Sequence, residues 1–157
     1  MSWTPESDKV VYQDSFWGLV HAHQGTFIES GLTASVTGSD NIVTIAGGFY
    51  YINGVRYEKS GSTTVDCSTL VPSTANYGRF VIIRIDDSGT IDTVSGTAVD
   101  VGTNDDSLRV PDLSTSTTHC LLIRVRLENN TNISSTEIID SCRIVRNQST
   151  IFSNQFT

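Results

Sequence analysis

A chain of 157 residues is long enough to bury a core as one domain, and its formal net charge of -7 argues against gripping phosphate backbones, which needs clustered Lys and Arg. About a quarter of the residues are serine or threonine and the helix formers are scarce, so the composition favours pleated surfaces and an all-β fold. No apolar run approaches the ~20 residues that span a bilayer, so no membrane-crossing helix is expected.

Residues 1–24 differ from the rest. The opening stretch MSWTPESDKVVYQDS has neither a basic n-region nor an apolar h-region, so the protein is expected to be made and kept in a cytoplasm, or to leave it by a route such as lysis. Tyr12, Phe16, Leu19, Val20 and His23 fall on one stripe at helical spacing, with Asp14 or Ser15 placed to cap it. The segment therefore reads as an arm with an extended lead-in and a short helix. Its aromatics Trp3, Tyr12, Phe16 and Trp17 are the candidate contacts to a partner. His21 and His23 are the candidates for a metal: on an extended strand they share a face, whereas on a helix they diverge.

From Gly25 to Arg146 the pattern is one of strands and turns, an antiparallel β-sandwich or small barrel. GLTASVTGSDNIVTIAGG holds two short strands around Gly38, Ser39 and Asp40. In GFYYINGVRYE, Asn53 and Gly54 suit the two positive-φ positions of a type I′ turn, and the flanking runs alternate. Tyr51 with Arg56, and Tyr50 with Tyr57, are then cross-strand neighbours, and each such pair is worth a few tenths to about 1 kcal/mol. The same four residues can also be read as a stacking platform for a glycan. TTVDCSTL is a further short strand.

GRFVIIRID is a core strand with Val81, Ile83 and Ile85 on one face and Phe80, Ile82 and Arg84 on the other. DDSG turns the chain and TIDTVSGT returns it. Asp100 to Thr118 reads as a long loop, of the kind that carries function or touches a partner. HCLLIRVRLE is the second core strand. Strict alternation puts Leu121, Ile123, Val125 and Leu127 on one face and Leu122, Arg124 and Arg126 on the other. NNTNISS is a turn cluster and TEIIDSCRIV ends in a last strand. Residues 147–157 form a polar tail with two phenylalanines.

Chemistry-bearing motifs are few. Cys67, Cys120 and Cys142 lack CxxC spacing and read as buried free thiols. No GxSxG, SxxK, GxGxxG or phosphate-loop pattern occurs. DDSGTID lacks the ligand order of a calcium loop and reads as a β-turn. The carboxylates are scattered. The expectation is a protein that is not an enzyme and holds no cofactor.

The order of the segments is itself a pattern. DSFWGLV, GTFIESGLTASV, NIVTIAGGFYYINGVRYE, GRFVIIRIDDSGTIDTVSGT and HCLLIRVRLENNTNISSTEIIDSCR together resemble a recurrent β domain of tailed-bacteriophage tail, baseplate and fibre proteins, over roughly residues 14–145. Carrying the resemblance are the Gly-ended strand before x-I-N-G-x-x-Y, the V-I-I-R-I-D strand, the L-L-I-R-V-R strand and the closure at Ile138, Ile139, Asp140 and Arg143. The Pro-rich loop of such domains is reduced here to Pro111 and a Ser/Thr run. The resemblance implies a virion structural protein, made in a bacterial host cytoplasm, that assembles with itself, commonly as a homotrimer, and with other virion proteins. In a trimer, three copies of His21 and His23 would supply six metal ligands. The alternatives are a capsid decoration protein and a carbohydrate-binding module in which Tyr50, Tyr51, Arg56 and Tyr57 meet a host-surface glycan. Nucleic acid and membrane are not expected partners.

Overall fold

The structure, a computed structural model, describes residues 25–36, 41–102, 108–109, 111, 118–129, 133 and 138–140. The arm, with Trp3, Tyr12, Phe16, Trp17, His21 and His23, and the tail 147–157 lie outside the described residues. Described residues form strands β1 (Phe27–Gly31), β2 (Ala34–Val36), β3 (Ile42–Ile45), β4 (Gly48–Ile52), β5 (Val55–Lys59), β6 (Thr63–Asp66), β7 (Tyr77–Asp86), β8 (Ile91–Ser95), β9 (Val99–Asp100), β10 (His119–Glu128) and β11 (Ile138–Asp140). A single turn of 3-10 helix, Ser68–Leu70, follows β6. Every pairing among the described strands is antiparallel.

The first six strands make one meander folded at a corner. Sheet order is β1-β4-β5 on one side of the corner and β2-β3-β6 on the other, and β1 runs into β2, β3 into β4 and β5 into β6. Hydrogen bonds from Leu32 N to Gly47 O (3.1 Å) and from Ala46 N to Thr33 O (2.9 Å) carry the pairing through the bend. The bend demands glycine. Gly31 has φ +66, and a Cβ there would run into Gly47 O and lie 2.7 Å from Gly48 Cα. Across the pair, a Cβ on Gly48 would run into Ser30 O and lie 2.6 Å from Leu32 N. Two backbones approach too closely here for any side chain.

A third sheet, in the order β11-β10-β7-β8 with β9 also paired to β7, carries the long strands. Among the described residues neither of its edge strands, β11 and β8, pairs onward, so the fold is sandwich-like and not a closed barrel. Inward residues of all three sheets meet in one core. Ile28, Val43, Ile45, Tyr50 and Ile52 come from the meander, Val81, Ile83 and Ile85 from β7, and Leu122, Ile123, Val125 and Leu127 from β10. Full burial of each aliphatic side chain contributes about 1.5–3 kcal/mol.

On β10 the strict alternation expected from the sequence fails at one place. Leu121 pairs with Arg84 and Ile123 with Ile83, so Leu122 is an extra residue, a β-bulge. Leu122 therefore joins Ile123, Val125 and Leu127 in the main core, while Leu121 packs with Ile82 and Val94 on the opposite face. A bulge flips every later side chain relative to the earlier ones. The arginines on that outer face are held in different ways. Arg84 makes a forked pair with Asp92 (2.6 and 2.8 Å), and Arg124, 4% exposed, lies over the Phe80 ring at 4.7 Å.

Asn53 (φ 52) and Gly54 (φ 78) take the positive-φ turn. Asp86 Oδ1 accepts from Ser88 N, Ser88 Oγ and Thr90 N at 2.7–2.9 Å, which is turn chemistry, and the Ser88 hydrogen bond holds the Asp86 carboxyl below its usual range. Cys67 and Cys120 are buried free thiols, and burial pushes the Cys67 thiol up to about 11. Cys142 lies outside the described residues. The two-residue β9 falls where a loop was expected to begin, because two residues carry no periodicity.

Tyr50 joins the two layers. Its hydroxyl donates to the Asp86 carbonyl at 2.7 Å, and burial, reinforced by the Asp86 charge, pushes the phenol up from 10.0 to about 12. Between those values the folded chain keeps a proton that the unfolded chain releases, so stability falls as pH rises. This contribution is complete below pH 10 and is lost through about pH 12. Tyr50→Phe is expected to flatten that alkaline slope, read as urea midpoints across the same window; an unchanged slope would assign it to other groups.

Candidate functional site

The outer face of β1-β4-β5 collects aromatics and charge around the Asn53–Gly54 turn. Strand alternation sends Tyr50 and Ile52 inward and leaves Phe49 and Tyr51 outward. Register then builds an outer row, Phe27, Tyr51 and Arg56, and beside it a row of Ser30, Phe49 and Glu58. Phe27 and Tyr51 stack with ring centroids 4.6 Å apart. The Arg56 guanidinium sits 3.9 Å over the Phe49 ring, and its Nε donates to Glu29 Oε2 at 2.6 Å. Glu29 reaches that position because β1 bulges between Ile28 and Ser30.

Each contact is modest. An aromatic stack contributes ~0.5–1.5 kcal/mol and an exposed cation–π contact ~0.5–1 kcal/mol. With the Arg56 side chain 48% exposed, the ion pair itself adds little to stability. The Glu29 hydrogen bond nevertheless raises the Arg56 guanidinium above its ordinary value and fixes where the cation points. The result is an ordered, half-exposed surface of planar groups. It can stack on another flat group and donate hydrogen bonds.

The four residues considered from the sequence as one platform are divided by the sheet. Tyr51 and Arg56 are paired on the outer face, whereas Tyr50, 0% exposed, and Tyr57 face the core, their rings stacked at 5.6 Å. Consecutive residues on a regular, unbulged strand point to opposite faces. Phe27, Glu29 and Phe49 complete the outer cluster. Phe49 was legible as the i, i+2 partner of Tyr51; Glu29 was not, because its place depends on the bulge. Among the described residues no group of three or more His, Cys, Asp and Glu side chains is arranged to hold a metal.

Comparison with known proteins adds no relative: no family model, no curated protein and no solved structure matches this chain.

Proposed function

We propose that the chain is a structural component of a tailed-phage particle, of the tail, baseplate or fibre type, acting through protein–protein assembly with copies of itself and with other virion proteins. The observation that favours this is the outer face of the INGVRY hairpin, where Phe27, Phe49, Tyr51 and Arg56 are fixed by stacking and by Glu29 on a folded β scaffold. Tyr, Phe and Arg are the residue types enriched at interface centres, where rigid aromatics give contact area at low entropic cost. The resemblance in segment order runs through this same hairpin.

Native mass by light scattering coupled to size exclusion, at two concentrations, tests the reading. The expected mass is three times the 17.1 kDa of the chain, independent of concentration. Arg56→Ala is expected to lower that mass toward the monomer while shifting the thermal midpoint little, since Arg56 is exposed. A monomer at both concentrations would overturn a self-contained trimer. A trimer indifferent to Arg56→Ala and Tyr51→Ala would place its contacts elsewhere.

A further inference from the structure

A polar cleft opens at the far end of the third sheet, away from the hairpin turn. It encloses about 310 Å³ and is lined by Asn76, Tyr77, Val101, Gly102, Arg126, Glu128 and Asn129. That volume lies at the lower end of small-ligand sites, which run ~300–1,000 Å³. Three chain segments meet there: the start of β7, the turn after β9 and the end of β10.

The lining is held in place from behind. Asn76 takes a left-handed backbone (φ 61), and its carbonyl accepts from Val101 N at 2.8 Å. Asn129 N donates to Tyr77 O at 3.0 Å, and Asn129 Nδ2 donates to Pro72 O at 2.8 Å. Gly102 N donates to Asp100 Oδ1 at 2.9 Å. Arg126 Nε donates to Glu128 Oε1 at 2.6 Å, which keeps both charged groups at the wall with roughly a quarter of each side chain exposed. A site whose groups are fixed before the ligand arrives loses little entropy on binding.

The charge pattern selects the ligand. An anion attracted to Arg126 would meet the Glu128 carboxylate, and a cation attracted to Glu128 would meet Arg126, so neither sign gains. A neutral molecule dense in hydroxyls can use donors and acceptors together: the guanidinium, the amides and the carboxylate. We propose that this cleft is a binding site for a neutral sugar ring, a hexose or N-acetylhexosamine unit of a glycan. The site is separate from the outer cluster around Arg56 and does not rest on the assembly reading.

The test is a titration of the isotopically labelled protein with the methyl glycosides of glucose, galactose, mannose and N-acetylglucosamine, followed by amide chemical shifts. At least one is expected to bind in the millimolar range, with shifts confined to residues 76–78, 101–102 and 126–129. Glu128→Gln and Asn76→Gly are expected to weaken it about tenfold, the loss of a hydrogen bond to a charged or preorganised group. Glycine at 76 keeps the left-handed backbone, so that variant separates the amide from the fold. Tyr51→Ala is expected to leave binding unaffected, and Glu128→Gln is expected to leave the native mass unaffected. The proposal is overturned if no glycoside shifts these residues, if shifts fall elsewhere, or if variants with native spectra bind equally well. Tighter binding of N-acetylneuraminic acid would overturn the neutral class.

Discussion

Gly31→Ala is expected to cost more than about 4 kcal/mol, a loss in the exceptional range for one substitution and a large part of the ~5–15 kcal/mol that holds a domain together. Two effects add. The left-handed backbone at φ +66 is unfavourable for alanine by ~1–2 kcal/mol. The new methyl would also sit against Gly47 O and 2.7 Å from Gly48 Cα, which are backbone atoms of the paired strand and cannot rotate away. Relief requires the strands to part, and that breaks the Leu32 N to Gly47 O bond that carries pairing through the corner. Gly54→Ala is the control. Its φ is +78 but nothing lies within 4 Å of the added methyl, so only the conformational cost of ~1–2 kcal/mol is expected. Urea midpoints of the two variants decide the matter. Equal losses would show that the corner can open and that close approach of the backbones is not what requires glycine.

Neighbouring tyrosines are expected to behave in opposite ways. Tyr50→Ala removes a fully buried ring and its hydrogen bond to the Asp86 carbonyl, an expected loss of ~3–5 kcal/mol. Tyr51→Ala removes only the stack with Phe27, ~0.5–1.5 kcal/mol. The two effects are to be read separately, stability by urea denaturation and assembly by native mass. Tyr50→Ala should lower the first; Tyr51→Ala should lower the second at nearly unchanged stability. If Tyr51→Ala destabilises as much as Tyr50→Ala, the assignment of Tyr51 to the outer face is wrong and the proposed assembly surface goes with it.

Much of this fold was readable from residue order because its determinants are local. Asn53–Gly54 sets the turn, the turn sets the register of Tyr51 opposite Arg56, and alternation puts Val81, Ile83 and Ile85 on one face. The all-β class followed from composition, and the Asp86 turn from Asp, Ser and Gly in succession. What the sequence could not decide were the irregularities. The bulge at Leu122 exchanged the faces of Leu121 and Leu122, and the bulge at Glu29 delivered a carboxylate to Arg56. Each depends on how a partner strand is paired, and no local residue pattern records it. The same holds for the meander's corner: Gly31 and Gly48 are seventeen positions apart, and only their backbone contact explains why both must lack a side chain. The cleft between Asn76, Val101 and Glu128 is likewise tertiary, since three segments distant in the chain meet there through backbone hydrogen bonds. Residue order by itself determined which strands form and which way most side chains point; tertiary pairing decided where the alternation breaks, and one of those breaks delivers Glu29 to Arg56.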